Sequence, residues 1–308
     1  MTPHILLIFL DGVGLGDDNS GTNPFSAGDF PTLQSLTNGL RWTRDTSIQS
    51  TPRSLFIPTD AQMGVAGLPQ SGTGQATIVT GRNIPQLIGE HYGPKPNIAT
   101  RELLDEGNFF KDVVAHDKTT ALLEAYPPPW HKGINRGKNL PSSYQYALKS
   151  AGMRFFDESD LRAGRAISGD WTGAGWHSQL GYTDTPILTP FEAGVKLAEI
   201  SREYDFAFFS HWLTDVIGHR GTIGEAIDLL TTFDGVMAGV LSAWDDNEGV
   251  VIVTSDHGNM EDIGNRHHTA NRVPTVIIGD QRGIFADLDD LAGIVGCMRQ
   301  VLGISVIL

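Results

Sequence analysis

An α/β fold, with a central, mostly parallel sheet and a small inserted cap, is predicted by three observations. The 308-residue chain has uninterrupted apolar runs of strand length at His4–Leu10, Asp205–Ser210 and Val250–Val253. Runs that are apolar at every position belong to strands buried on both faces, as in parallel sheets covered by helices. Helical patterns with clear start signals lie between the later runs. Residues 85–189 differ in texture, being rich in Gly, Pro, Trp and Tyr with little regular periodicity. That stretch reads as an insertion in a core made of residues 1–84 and 190–308.

The first strand, His4–Leu10, stops at Asp11-Gly12-Val13-Gly14. No third glycine follows at the dinucleotide-binding spacing, so this Gly-x-Gly is not read as a phosphate loop. Residues 17–30 read as a polar loop, and Pro31–Leu36 as a short helix with Pro in its first turn. Gln70–Arg82 predicts a helix that begins just after Ser71 and closes at Gly81 in a left-handed cap. Ser71 is then at a helix N-terminus, where amide groups and the dipole favour an anion. Its hydroxyl is placed either to carry a phosphoryl group or simply to cap the helix.

Within 85–189, Thr119–Ala125 reads as a strand and Ser142–Ala151 as a helix. Three aromatic and basic clusters, at 89–96, 125–132 and 168–177, either pack loops together or face a substrate. Regular structure resumes at Thr189-Pro190-Phe191-Glu192, a capping box opening a helix to about Glu203. The strand Asp205–Ser210 leads to Asp215 and His219, whose spacing of four puts them on one face of a helical turn. Thr222-x-x-Glu225 caps the next helix, whose apolar residues recur at helical spacing from Ile223 to Trp244. The strand Val250–Val253 ends in Asp256-His257-Gly258-Asn259, and His268 precedes another strand at Val273–Ile278. A helix over Leu288–Leu302 closes the chain.

Net charge is -14 and the sequence pI is near 5.0, which disfavours nucleic acid and anionic membranes as partners. An anionic substrate would need a local positive offset, and bound metal cations would supply it. The single cysteine, Cys297, reads as a core residue; no disulfide can form within the chain, which suits a reducing compartment. The run Ile5–Leu10 is too short to span a bilayer and no cationic segment precedes it, so a cytoplasmic protein is expected.

One Asp-His pair alone is as well explained by a turn and a surface histidine. Collecting Asp11, Asp215, His219, Asp256, His257, His268 and Ser71 at strand-to-loop positions is harder to explain without metal. These donors suit two divalent ions, manganese or zinc better than calcium, with magnesium also possible. Paired ions clamp the attacking and leaving oxygens of a phosphoryl displacement.

Asp11-Gly, Ser71-x-x-Gly74-Gln75, Asp215-x-x-Gly218-His219, Asp256-His257-Gly258-Asn259 and His268-Thr269 together resemble the alkaline phosphatase superfamily, most nearly its cofactor-independent phosphoglycerate mutase and phosphopentomutase branch. The resemblance covers 1–84 and 190–308, and it implies a three-layer sandwich. It also implies one metal held by Asp215, His219 and His268, and another held by Asp11, Asp256, His257 and Ser71. Ser71 would be the nucleophile that is transiently phosphorylated; Thr73 is a nearby hydroxyl two residues off that register. Gln75 stands where the mutases have His, Arg272 where they commonly have Pro, and the insert is smaller than in the bacterial phosphoglycerate mutases. Arg82, one helix length beyond Ser71, either binds substrate phosphate or is solvated.

The resulting expectation is a phosphohydrolase or phosphotransferase acting on a small phosphate ester through a phosphoserine. A phosphomutase is the second reading, and a catalytically dead metal-binding protein the third, although no donor is missing. A sulfatase-like activity is disfavoured because no Cys stands at the nucleophile position. The loop-rich insert, with Lys95, Lys132, Arg136 and Lys138 to attract an anion, is expected to admit water, which favours hydrolysis. A monomer or small homo-oligomer is expected.

Overall fold

Each residue of the first strand after His4 points into a core. The computed structural model describes residues 3–306, and in it β1 (His4–Leu10) sends Ile5, Leu7 and Phe9 to one face and Leu6, Ile8 and Leu10 to the other. All six are buried, which is why the run has no polar alternation. Each face meets its own helical layer. Ala193 and Leu197 of the helix Pro190–Ser201, and Leu230 and Phe233 of the helix Ile223–Ala243, cover one side. Helices Ser71–Thr80, Phe109–Ala115, Ser143–Ser150 and Gly293–Leu302 cover the other through Ala76, Phe110, Leu148 and Val295. The three-layer α/β architecture follows from these two apolar faces. The helix Ile223–Ala243 has 21 residues and is apolar enough to cross a membrane by length and composition; here it packs along the helix Pro190–Ser201 and buries Ala226, Leu230, Phe233 and Met237.

The sheet also contains β2 (Gln49–Ser50), β3 (Ser54–Thr59) and β4 (Thr120–Leu122). A separate two-stranded sheet pairs β5 (Glu124–Ala125) with β6 (Ile167–Ser168). The main sheet is completed by β7 (Phe206–His211), β8 (Gly249–Ser255) and β9 (Val273–Ile278), in the order β2-β3-β9-β8-β1-β7-β4. The pairings β8–β1, β1–β7 and β7–β4 are parallel. The pairings β2–β3, β3–β9 and β9–β8 are antiparallel. The sheet is therefore mixed: β8, β1, β7 and β4 form the expected parallel block, and β9, β3 and β2 add antiparallel pairings at one side. The cause is local: the chain returns from β8 to β9 through the His268 loop without a crossover helix, and such a return is antiparallel. No expectation covered β2 and β3, whose sequence QSTPRSLFIPT carries two prolines and short apolar content.

The stretch 85–189 is not uniform. β4 is an edge strand of the main sheet, and the helix Ser143–Ser150 packs on the helix Ser71–Thr80, so this part is continuous with the core. The strand expected over Thr119–Ala125 breaks at Leu123, and beyond the break β5 leaves the main sheet to pair with β6. The helix Pro128–Asn135 and the loops around β6 and Ala174–Ser178 stand over the carboxyl end of β7. The last helix begins at Gly293 rather than Leu288, because Asp290 accepts from the amides of Ala292 and Gly293 and forms a turn there.

Candidate active site and metal centre

In open α/β sheets ligands gather at the carboxyl ends of strands, and the expected donors are found there. Asp11 follows β1, Asp256 and His257 follow β8, and Asp215 and His219 lie on the helix Leu213–Arg220 that follows β7. Gly12 makes the turn after Asp11 at φ 69, and a Cβ there would lie 2.7 Å from Asp215 Oδ1. Only glycine allows β1 and the Asp215 helix to approach so closely. Gly74 acts similarly from the Ser71 helix: a Cβ would lie 2.8 Å from the Asp256 carbonyl. This close approach accounts for the glycine in Ser71-x-x-Gly74.

The donors form two groups. Asp215, His219 and His268 each offer an atom within 4.8 Å of the others, and so do Asp11, Asp215 and His257. Asp215 belongs to both. Its Oδ1 lies 3.4 Å from His219 Nε2 and 3.8 Å from His268 Nε2. His257 Nε2 lies 3.4 Å from Asp11 Oδ1, 3.6 Å from Asp256 Oδ2 and 3.0 Å from Ser71 Oγ. Thus all seven residues named from the sequence come together, in a grouping that links through Asp215.

The surroundings fix which histidine nitrogens face the centre. Nδ1 of His219 lies 3.0 Å from the Arg266 carbonyl, and Nδ1 of His268 lies 2.8 Å from the Pro69 carbonyl. A carbonyl can only accept, so each Nδ1 carries the proton and each Nε2 presents a lone pair. Those two Nε2 atoms are 3.3 Å apart. Two facing lone pairs at that distance call for a cation. Asp11 Oδ1 and Asp256 Oδ2 point the same way, being buried without a hydrogen-bond partner. The residues fit divalent metal on these grounds.

The electrostatics agree. Burial, with the neighbouring Asp215 charge, raises the Asp11 pKa, and burial together with Asp11 raises that of Asp256 well above the usual range. Burial opposes charge on His257, but Asp256 and Asp11 outweigh it and hold its pKa at about 10. Burial, then the His257 charge, drives His268 down to about 4. Carboxylates this crowded repel one another until a cation joins them.

Ser71 is 5% exposed and is the first residue of the helix Ser71–Thr80, whose cap residue is Gln70. It is therefore inside the helix rather than its cap, with its hydroxyl directed at His257. Thr73 is fully buried; its hydroxyl donates to the Gln70 carbonyl at 3.2 Å and accepts from the Tyr92 amide at 3.2 Å. It is held in the loop and does not compete with Ser71. Gln75 donates to Asp11 Oδ2 at 3.3 Å. Arg82 is a correction: it lies at the far end of the helix, roughly 15 Å along its axis, and pairs with Glu106 at 2.7 Å. It does not line the site.

Two residues, Glu261 and Glu124, escaped the sequence reading, and two others, Asn259 and Lys95, were named there without their contacts. Glu261, buried, accepts from the amides of Gly14 at 2.9 Å and Asn259 at 2.7 Å and from the Thr269 hydroxyl, tying together the loops of Asp11, His257 and His268. Asn259 donates to Asp215 Oδ1 at 2.7 Å. Lys95 and Glu124 line a cavity of about 530 Å³ that also opens onto Asp11, Ser71 and Asp215. Glu124 left one signal, a lone acid in the apolar run Ala121–Tyr126. All three aromatic clusters of the insert contribute wall residues, among them Pro94, Trp130 and Trp176.

A family model described as the Metalloenzyme superfamily matches residues 191–305. That stretch holds Asp215, His219, Asp256, His257 and His268. The 2,3-bisphosphoglycerate-independent phosphoglycerate mutase of Thiobacillus denitrificans is 29% identical over 132 residues, 40% of this chain and 26% of that one. The corresponding mutase of Rhodopseudomonas palustris is 36% identical over 122 residues, 36% of this chain and 24% of that one. The chain thus spans about a quarter of the length of these curated relatives. The alkaline phosphatase of the Antarctic bacterium TAB5 has a similar fold, with TM-score 0.54 and 13% identity over 99% of both chains. A phosphoglycerate mutase from Leishmania mexicana has TM-score 0.55 and 12% identity over 100% of this chain and 96% of that one.

Proposed function

We propose that this chain, which is similar to the Metalloenzyme superfamily over residues 191–305 and to phosphoglycerate mutases over part of its length, belongs with the alkaline phosphatase superfamily and transfers the phosphoryl group of a small phosphate ester through Ser71. One observation carries the reading. The Ser71 hydroxyl, at a helix N-terminus, lies 3.0 Å from His257 of one donor group and lines the cavity.

Asp215, His219 and His268 would hold one divalent ion, and Asp11, Asp256, His257 and Ser71 the other. Manganese or zinc suits this mixed nitrogen and oxygen set. When bound, such ions lower the pKa of the serine hydroxyl and offset phosphate charge. The chain's own residues do the rest. The helix N-terminus under Ser71 favours the incoming anion. Lys95 adds the one cationic side chain of the cavity wall. Asn259 and Glu261 hold the donor loops in register, so little reorganisation is needed as charge develops. The helix Pro128–Asn135 and the loops around β6 and Ala174–Ser178 act as the cap, and transfer to water completes a hydrolase cycle.

The names of the relatives favour a second reading, return of the phosphoryl group to the same skeleton. Turnover of a phosphate-ester panel with manganese in oxygen-18 water separates the two. Label in released phosphate supports the hydrolase. Isomerised product without free phosphate supports the mutase, and no phosphoryl transfer with any metal rejects the proposal.

A further inference from the structure

The cavity wall holds more information than its position. The chain has 22 Lys and Arg residues, yet among the described residues Lys95 is the only one of them on the wall. Its charge is already shared, since it lies in the fields of both Asp11 and Glu124. Away from the metal donors, the wall adds the carboxylates of Glu124 and Asp170, and the aromatic faces of Trp130, Trp176 and Trp212. Asp170 is committed to its own loop, accepting from the amides of Gly173 at 2.8 Å and Gly175 at 2.6 Å. Glu124 is different. The hydroxyls of Tyr126, at 2.7 Å, and of Ser210 both donate to its Oε2; the Trp212 indole N–H also supports this carboxylate, whose Oε1, near Gly169, keeps a further lone pair for a donor.

Glu124 also stands at a suitable distance from the phosphate end. It contacts Ser210 of β7, and Ser210 is in register with Phe9 of β1, whose strand ends at Asp11. Two strand spacings, about 10 Å, separate Glu124 from the strand of Asp11. A phosphate at Ser71 would leave a small alcohol group spanning that gap. Trp212, 44% exposed, and Trp130, stacked on Tyr126 at 4.0 Å, offer apolar faces along it.

We propose that this cavity takes the alcohol half of the substrate as an uncharged, hydroxyl-bearing group, with Glu124 the specificity-determining residue that hydrogen-bonds a hydroxyl and repels a second anion. The inference rests on the phosphate-ester reading above. A substrate carboxylate would meet Glu124 with no free cation to pair it, and like charges so placed are costly. A hydroxyl can donate to the same oxygen. Burial lifts the Glu124 pKa to about 7, so above that pH it is mainly the charged acceptor.

Glycerol 2-phosphate and 2-phosphoglycerate differ only in a hydroxymethyl group against a carboxylate, and they test this directly. Their binding to full-length Ser71→Ala protein, saturated with manganese at pH 8, is measured by calorimetry. Glycerol 2-phosphate should bind about tenfold more tightly, and adding Glu124→Gln should bring the two within about threefold. Equal or tighter binding of 2-phosphoglycerate overturns the proposal, as does an unchanged preference in the Gln variant or failure of both probes to bind. Should the Gln variant not fold, the preference with Glu124 intact decides. Discrimination in a protein that never carries phosphate on Ser71 would reject that nucleophile and leave this inference standing.

Discussion

The strand tips and the cap build their parts of the site by opposite means. At the tips, short loops carry buried and half-buried acids and imidazoles, several of them held by backbone groups: Gly12 donates to Asp256 at 3.3 Å, and carbonyls of Pro69 and Arg266 fix His268 and His219. In the cap, Tyr126, Trp130 and Trp176 form much of the cavity wall, and Trp212, just past β7, is exposed at its edge. The tips are specified by charge that must be neutralised. The cap is specified by shape and by one buried acid. Chemistry and substrate choice should therefore be separable by mutation.

The largest effect belongs to the tips. Ser71→Ala should lower kcat by at least ~10³-fold in manganese-loaded protein, with unchanged far-UV dichroism. A loss under tenfold would break the distinction, since it would leave catalysis without its nucleophile. Next comes metal content. Because Asp215 belongs to both groups, Asp215→Ala should reduce occupancy at both sites, whereas His219→Ala should empty mainly one. Elemental analysis after dialysis measures this, and equal losses would show that the two groups are not linked as described.

The cap gives a smaller effect that depends on pH. Burial raises the Glu124 pKa from 4.5 to about 7 in the folded protein. The folded state thus holds its proton more tightly, so stability falls as pH rises from about 4.5 to about 7 and stays reduced above that. A rise of that size corresponds to about 3 kcal/mol at most. Glu124→Gln, which cannot ionise, should gain in urea midpoint relative to wild type between pH 5 and pH 8. A constant difference across that range would mean that Glu124 is not held as an uncomfortable buried acid. The smallest effect is that of Arg82→Ala, which should change kcat/KM less than about twofold, because Arg82 pairs with Glu106 outside the cavity.

The same contrast explains how much was legible in the sequence. Asp11, Asp215, His219, Asp256, His257 and His268 were visible because polar residues that end apolar strands stand out against them. Ser71 was visible because glycine closes its helix at Gly81. The antiparallel course of β9 was not visible, since it has the same apolar character whether it runs parallel or antiparallel. The division of the insert was hidden because β4 and β5 form one apolar run, and only tertiary pairing parts them at Leu123. Glu124 and Glu261 act across the fold, through partners distant in sequence such as Ser210 and Gly14. No local pattern encodes such contacts. Arg82 was left open between phosphate binding and solvation for the same reason, and the helix carries it away from the site to Glu106.

The central claim is that the strand-tip donors make Ser71 a phosphoryl acceptor. Manganese-loaded protein, mixed with a turned-over phosphate ester, quenched in acid within the first turnovers and digested, can be mapped by tandem mass spectrometry. The account predicts phosphate on Ser71, absent from Ser71→Ala and from metal-stripped protein. Phosphate on Thr73 or elsewhere, or turnover with no phosphorylated peptide at any quench time, would contradict it.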